Sequence, residues 1–393
     1  MYTRRQLLAG LGCGGIVGMA GCLSEETGFY PGDEEERTKW WPQPQYDGYG
    51  TCFNPETTVS ADSPSVRWEL EISSPSARPI IVDSVAVLPT SEAVRAVSTV
   101  DGSELWTATE KDSVVWPRSV AAHDGLVFIS SSEEPELMAL GLQTGKRTWE
   151  RTFERPPKAF TIDYSNSHLL FGDDTGTVYS VDPATGKTNW KRSVFGPIST
   201  IVTKIGFHLI GTEGGEVYAL YGEQGDGLWR RRFPGAITAL GSRNGSHSGA
   251  GAFVSCFSGS TFALNPSSAG ATVWSKDLWS PESVVVTSSH VYTAGTSISA
   301  INYRNGKRSW SVGETVQCGP AAAGDLVFVG AENAVEAYKM GGGAGLGGIR
   351  IDTKGWRLPV DGTPQRGFAV ADGALFVMTQ GGNGEPSKAY AIE

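Results

Sequence analysis

Cys13, Cys22, Cys52, Cys256 and Cys318 are the thiols of this chain of 393 residues. No two stand side by side or at C-x-x-C spacing, which speaks against a thiolate zinc site. The five histidines, His123, His168, His208, His247 and His290, stand mostly near predicted strand starts or in a loop, as structural or solvated imidazoles do. No G-x-S-x-G elbow marks a nucleophile, and a Ser–His–Asp relay cannot be assembled from spacing alone. Calcium needs six to eight oxygens, but Asp163, Glu282 and Asp325 are scattered, with no calcium-loop spacing. The run Gly341-Gly-Gly-Ala-Gly-Leu-Gly-Gly348 opens no predicted helix, so it reads as an enlarged flexible hairpin rather than a phosphate cradle.

Charge narrows the choice further. The chain holds 42 acidic and 32 basic residues, a net −10, which becomes −12 without its first 21 residues. An acidic chain without basic clusters has no electrostatic footprint for nucleic acid, so no nucleic-acid partner is expected. Hydrophobic residues make up 39% and charged residues 19%, enough apolar surface for a packed core. With 51 Gly, 21 Pro, 12 Trp, 12 Tyr and 15 Phe, many short strands are predicted rather than helices.

The N-terminus reads as an address. Arg4 and Arg5 precede an apolar run from Leu7 to Ala20, about 14 residues, too short for a bilayer core of about 30 Å but suited to a signal peptide. Thr3-Arg-Arg-Gln-Leu-Leu8 resembles a twin-arginine export signal, and Met19-Ala-Gly-Cys22 resembles a lipobox, with Met where Leu is usual. Residues 1–21 are therefore expected to be a signal peptide and Cys22 the lipidated residue. The pair of motifs resembles secreted lipoproteins of salt-loving archaea. Residues 22–39, with Asp33-Glu-Glu-Glu36, are predicted to be an acidic flexible tether; its 17 residues after the cysteine span roughly 23 Å as a random coil. Residues 40–65 form a lead-in and 66–393 the main domain. With two cysteines in the leader region, the remaining three allow at most one intramolecular disulfide. Asn244-Gly-Ser246 is a glycosylation sequon in a small polar loop.

The body of the chain repeats. Ala139 to Trp149, Ser180 to Trp190 and Ala300 to Trp310 align in register around Thr-Gly or Asn-Gly, as do Ala96 to Trp106 and Ala219 to Trp229; Ala263 to Trp274 fits with one extra residue. Trp106, Trp149, Trp190, Trp229, Trp274 and Trp310 follow one another at 43, 41, 39, 45 and 36 residues, the period of a four-stranded propeller blade. Alternating apolar stretches such as Leu126–Ile129 lie upstream as strands, and the Gly supplies the hairpin turn. Each Trp is a structural wedge between sheets, burying on the order of 200 Å². Ala389 to Glu393 ends halfway through a repeat, and Val66 to Leu70, with Trp68, supplies the other half. The expected fold is all-β: an eight-bladed propeller closed by its N-terminal strand, with no open sheet edge left at the join.

The pattern Ala-x-Asp-x-x-Thr-Gly-x-x-x-Trp resembles the tryptophan-docking motif of the PQQ-type quinoprotein propellers over about residues 66–393. That family includes quinoprotein alcohol dehydrogenases and the non-enzymatic BamB-like lipoproteins of outer-membrane assembly; Trp40 to Pro55 resembles the lead-in such propellers pack across the disc. The resemblance implies two functions. One is a lipid-anchored, non-catalytic interaction scaffold at the cell surface, a monomer that touches the membrane through its lipid alone, engages envelope or cell-surface proteins and needs no cofactor. The other is a PQQ-dependent dehydrogenase holding PQQ and Ca²⁺ on the axis, although the adjacent cysteines that many alcohol-oxidising members carry are missing here. A receptor for a small anion or glycan is a third reading. For these, a proline often precedes the innermost strand of a blade, and Arg78, Arg118, Lys158 and Arg366 sit around that point in blades 1, 2, 3 and 8. They predict a basic arc on one side of the axial funnel, able to hold an anion or an acidic partner segment.

Overall fold

The computed structural model describes residues 34–109, 116–243, 249–346, 349–351, 353–382 and 384–393. Eight antiparallel sheets stand around one axis, each running from an innermost to an outermost strand in chain order. Blades 1 to 7 span residues 80–109, 117–152, 158–193, 198–232, 237–276, 285–312 and 318–359. Blade 8 takes three strands from residues 363–392 and its outermost strand, Val66–Ile72, from the start of the chain. Trp68 there faces Ala391 across the ladder, and Ser65 and Glu393 exchange backbone hydrogen bonds of 2.8 and 2.9 Å. The eight-bladed, end-closed ring read from the repeats is the observed architecture.

The repeat motif explains how neighbouring blades hold together. Each Trp lies directly across the ladder from a small residue: Ala96, Ala139, Ser180, Ala219, Ala263, Ala300, Ala337 or Ala391. That leaves room for the indole to lean toward the turn of the next blade. Its Nε1 then donates to a carbonyl there: Trp106 to Leu142 at 2.7 Å, Trp149 to Pro183 at 2.9 Å, Trp229 to Pro266 at 3.1 Å, Trp274 to Tyr303 at 2.7 Å and Trp310 to Met340 at 2.9 Å. Trp68 carries the same bond from blade 8 to Thr99 of blade 1 at 3.0 Å. The turn glycine is the floor of the dock. Gly186 has φ +68°, and a Cβ on it would lie 2.8 Å from Trp149 Cε3, so neither its backbone nor its space admits a side chain.

Trp356 is an eighth docking residue, displaced in sequence by the glycine-rich insertion. That insertion contains a short hairpin, Ala344–Leu346 with Ile349–Ile351. Trp356 Nε1 donates to the Ser60 carbonyl at 2.9 Å, because the turn it would meet in blade 8 is supplied by the N-terminal lead-in.

One dock differs. Trp190 lies against Gly225, but its Nε1 has no partner. His208, fully buried and stacked on the indole at 5.9 Å, bonds to the Gly222 carbonyl through Nε2 at 3.1 Å. The imidazole has taken an acceptor at the position the indole would use. Burial also lowers the His208 pKa, keeping the ring neutral.

The lead-in winds through the axis and bonds to every blade. Trp40 and Trp41 pair with Val82 and Ile81 of blade 1. The Pro42 carbonyl accepts from Ala122 N–H at 2.7 Å, Gln43 Oε1 from Ile162 at 2.6 Å, and the Gly48 carbonyl from Thr203. The Tyr49, Thr51 and Cys52 carbonyls accept from Ser242, Val286 and Ala322 at 2.7, 2.9 and 2.9 Å. Thr38 accepts from Asp372 at 2.6 Å, and Asn54 Nδ2 donates to the Val370 carbonyl at 3.0 Å, completing the circuit in blade 8. Trp41, Gln43, Tyr46, Asp47 and Cys52 are buried. A Cβ on Gly48 would sit 2.3 Å from Thr203 Oγ1 and 2.6 Å from the Ile162 carbonyl, so the close approach requires glycine.

Trp149→Phe removes an indole N–H and strands the Pro183 carbonyl, whereas Trp190→Phe removes an N–H that has no partner. Urea unfolding of the two variants should therefore show Trp149→Phe less stable than Trp190→Phe by about 1–2 kcal/mol. Equal losses would mean the docking hydrogen bond contributes nothing.

Candidate functional site

In each blade the innermost strand begins on one face of the disc, and the outermost strand ends there. Antiparallel alternation puts the turn between the second and third strands on the same face. This strand-start face carries all four basic residues singled out from the sequence. Its axial funnel is re-aimed locally by β-bulges near the starts of six innermost strands, at 117/119, 158/161, 198/200, 237/239, 318/321 and 365/368.

The structure brings the four cations into two separate groups. Arg118 grips Asp174 with both guanidinium nitrogens, at 3.0 and 3.3 Å. Lys158, nearly buried, bonds to the same carboxylate and reaches Glu213 at 3.1 Å. Asp174 and Glu213 come from the second-to-third-strand turns of blades 3 and 4, so the network ties three blades together. Burial alone would raise the Asp174 carboxyl, but hydrogen bonds from Lys158 and Arg118 outweigh it and hold the group below the usual carboxylate range.

Arg78 and Arg366 form the second group. Arg78 Nη1 donates to the Pro44 carbonyl at 2.7 Å and approaches Cys52 Sγ at 3.7 Å, while its Nε donates to the Arg366 carbonyl at 3.1 Å. Its Nη2 lies 4.0 Å from Glu282, which also accepts from Gly319 N–H at 3.2 Å. Arg78 thus pins the lead-in to blades 1, 6 and 8. Arg366 has φ +65° and an exposed side chain, which touches the Pro75 carbonyl at 3.4 Å.

Cys52, Cys256 and Cys318 are free thiols, all buried. Burial pushes Cys52 up to about 11 and Cys256 up to about 12, so none is poised as a nucleophile. The carboxylates weighed as calcium ligands do not converge. Asp163 closes its own turn on Ser165 N–H at 3.0 Å and Asn166 at 2.7 Å, and Glu282 is held by Arg78 and Gly319. Among the described residues, no three His, Cys, Asp or Glu side chains are arranged so that they could hold a metal ion. With the lead-in threaded through the axis as well, this donor set does not fit a calcium–quinone pair. Arg4, Arg5, Cys22 and Asn244 lie outside the described residues.

The same face presents large apolar groups that the sequence reading passed over. Phe195 and Phe257 are each 71% exposed and Trp116 50%. Trp116 immediately precedes blade 2, Phe195 lies in the connection into blade 4, and Phe257 caps the second-to-third-strand turn of blade 5, edge-on to Trp279 at 6.0 Å. The available signal was an aromatic one or two residues before the proline that opens a blade, at Trp116-Pro117 and Phe195-Gly-Pro197.

The ring of eight blades, docked through tryptophan, defines a PQQ-type propeller. The profile of the family described as outer membrane protein assembly factor BamB matches residues 55–151 and 144–346, and the chain belongs to that family. Among solved structures, BamB from Moraxella catarrhalis aligns with a TM-score of 0.66 at 16% identity, over 84% of this chain and 98% of that one. Quinohemoprotein alcohol dehydrogenase from Pseudomonas putida aligns with a TM-score of 0.72 at 13% identity, over 92% of this chain and 81% of that one. These likenesses are of fold. A curated 1-butanol dehydrogenase (cytochrome c) from Thauera butanivorans is 30% identical over 164 residues, which is 37% of this chain and 23% of that enzyme. No helix among the described residues is long and apolar enough to cross a membrane.

The depressed Asp174 pKa has a defined sign. The stability it contributes is present above the unfolded value near 3.9 and is lost as pH falls through the lower folded value. Asp174→Asn should thus be less stable than wild type at neutral pH. The two urea midpoints should converge on acidification below that value; a constant gap down to low pH would count against the network.

Proposed function

We propose that this protein is a non-catalytic docking scaffold of the cell envelope, exported through its twin-arginine signal and held at the outer face of the membrane by a lipid on Cys22. Its strand-start face engages an envelope protein. The observation that carries the reading is the exposure of Phe195 and Phe257 on rigid blades. Large aromatics left in water on a scaffold are binding groups more readily than packing groups, and aromatics dominate the energetic centres of protein interfaces. The ion network of Arg118, Lys158, Asp174 and Glu213, with Arg366 elsewhere on the same face, supplies a polar rim of both signs suited to a protein partner. Membership in a family described by an assembly factor supports the same reading. It requires no cofactor, in keeping with a donor set that does not fit calcium and quinone.

Crosslinking, calorimetry and membrane fractionation test it. A photo-reactive amino acid at position 195 should crosslink to an envelope protein in intact cells, and one at Ile205, 60% exposed on the opposite face, should not. Phe257→Ser should weaken the Phe195 crosslink. Equal labelling from both faces, or calorimetric binding of PQQ with Ca²⁺, would overturn the proposal. Cys22→Ser should release the protein from the membrane fraction; retention there would remove the lipid anchor from the account.

A further inference from the structure

The outer wall of the propeller carries a charge opposite to that of the chain. The outermost strands of blades 2, 3 and 4 are Arg147–Thr152, Thr188–Ser193 and Gly227–Arg232; they hold two, two and three basic residues against a single acid, Glu150. The outermost strands of blades 5, 6 and 7 add one, one and two basic residues and no acid. The strands of blades 8 and 1, Val66–Ile72 and Glu104–Thr109, carry one Arg and three Glu. This is the distribution in a chain where acids outnumber bases 42 to 32.

Each of these strands ends its sheet, so its outer backbone edge is unpaired within the blade. Charged side chains are the ordinary protection of such edges, but either sign repels a like neighbour equally well. Edge protection explains that the wall is charged; it does not explain why six consecutive blades are positive. Many of the cations meet acids: Arg147 pairs with Glu150, Lys191 with Glu154 at 2.7 Å, Arg192 with Asp226, Arg230 with Glu216 at 3.2 Å, and Lys354 and Arg357 with Glu336. Others turn to backbone: Arg151 donates to the Glu150 carbonyl and Arg231 to Ala269, both at 2.8 Å, and with Arg232 they are exposed. A flat anionic surface touches a convex wall along a narrow sector only. An extended segment laid along a single blade edge needs no flat contact and meets the cations of that edge directly.

We propose that the outer edge of blade 4, Gly227–Arg232, captures an extended, carboxylate-rich polypeptide segment of a partner protein, which adds there as a fifth strand. The unpaired backbone groups supply ladder hydrogen bonds, and Arg231 and Arg232 select for acidic side chains. This surface is distinct from the strand-start face and stands or falls separately from it.

The test is anisotropy of a fluorescein-labelled oligoglutamate peptide titrated with the purified full chain at low ionic strength, where surface charge is least screened. Saturable binding is expected, weakened about tenfold or more by Arg231→Glu with Arg232→Glu together. The corresponding two Gln substitutions, a milder set, should fall between. Amide exchange in 227–232 should slow on binding. No saturable binding, or unchanged affinity in the Glu variant with its melting profile intact, overturns the proposal. So does binding without slowed edge amides. Association with phosphatidylglycerol vesicles but not with the peptide also overturns it, in favour of a lipid surface.

Discussion

The indole-to-carbonyl bond between successive blades is the interaction on which everything else rests. A blade of four strands has two broad faces and cannot cover them alone. Tryptophan supplies the apolar wedge, and its single N–H fixes how far and at what angle the next blade sits. The cross-strand alanine makes room behind the ring, and the turn glycine makes room in front. Because the same three residues recur, the same rotation is repeated until the ring meets itself. Trp356 shows that the geometry matters more than the motif: it completes the same bond with Ser60, from the far end of the chain.

A ring of eight blades leaves innermost strands with backbone groups facing an axis. Here the lead-in answers that requirement with its own carbonyls, offering acceptors to blades 2 through 8 in turn. The opposite end of the axis keeps its polar side chains, gathered into ion networks at the starts of the strands. The two ends of the disc therefore differ in kind. One is sealed by main chain; the other displays Arg366, the Asp174 network and the exposed aromatics to solvent.

The architecture was legible because its signal is periodic. Turn glycines, cross-strand alanines and tryptophans at intervals near 40 residues are readable without coordinates. Trp356 escaped that reading because an insertion lengthened its hairpin and moved the motif out of register. The exchange of acceptor at Gly222 was also hidden, since nothing in the sequence around His208 says its ring will reach a carbonyl in the adjacent turn. The candidate site was legible only by offset. Counting from the prolines placed Arg78, Arg118, Lys158 and Arg366 around the same opening, but their charges are answered by Asp174, Glu213 and Glu282 from other strands and blades. Spacing along one chain cannot show pairings between distant turns. Trp116 and Phe195 were marked only by their place just before prolines that open blades; exposure itself belongs to the folded surface, and composition counts a solvent-facing Phe and a core Phe alike.

The threaded lead-in also bears on the order in which the molecule can assemble. Asn54 bonds to a residue 316 positions away, and its neighbours in the lead-in bond to strands strung along the whole chain. The lead-in leaves the ribosome before the blades and is thus among the last segments to find all its partners. A high contact order of this kind makes folding slow and discourages piecemeal completion during synthesis, since the loop-closure entropy must be met before the axial bonds repay it. Early blades dock on one another as they emerge, yet the axis stays open and the first and last strands stay separate until the chain is finished.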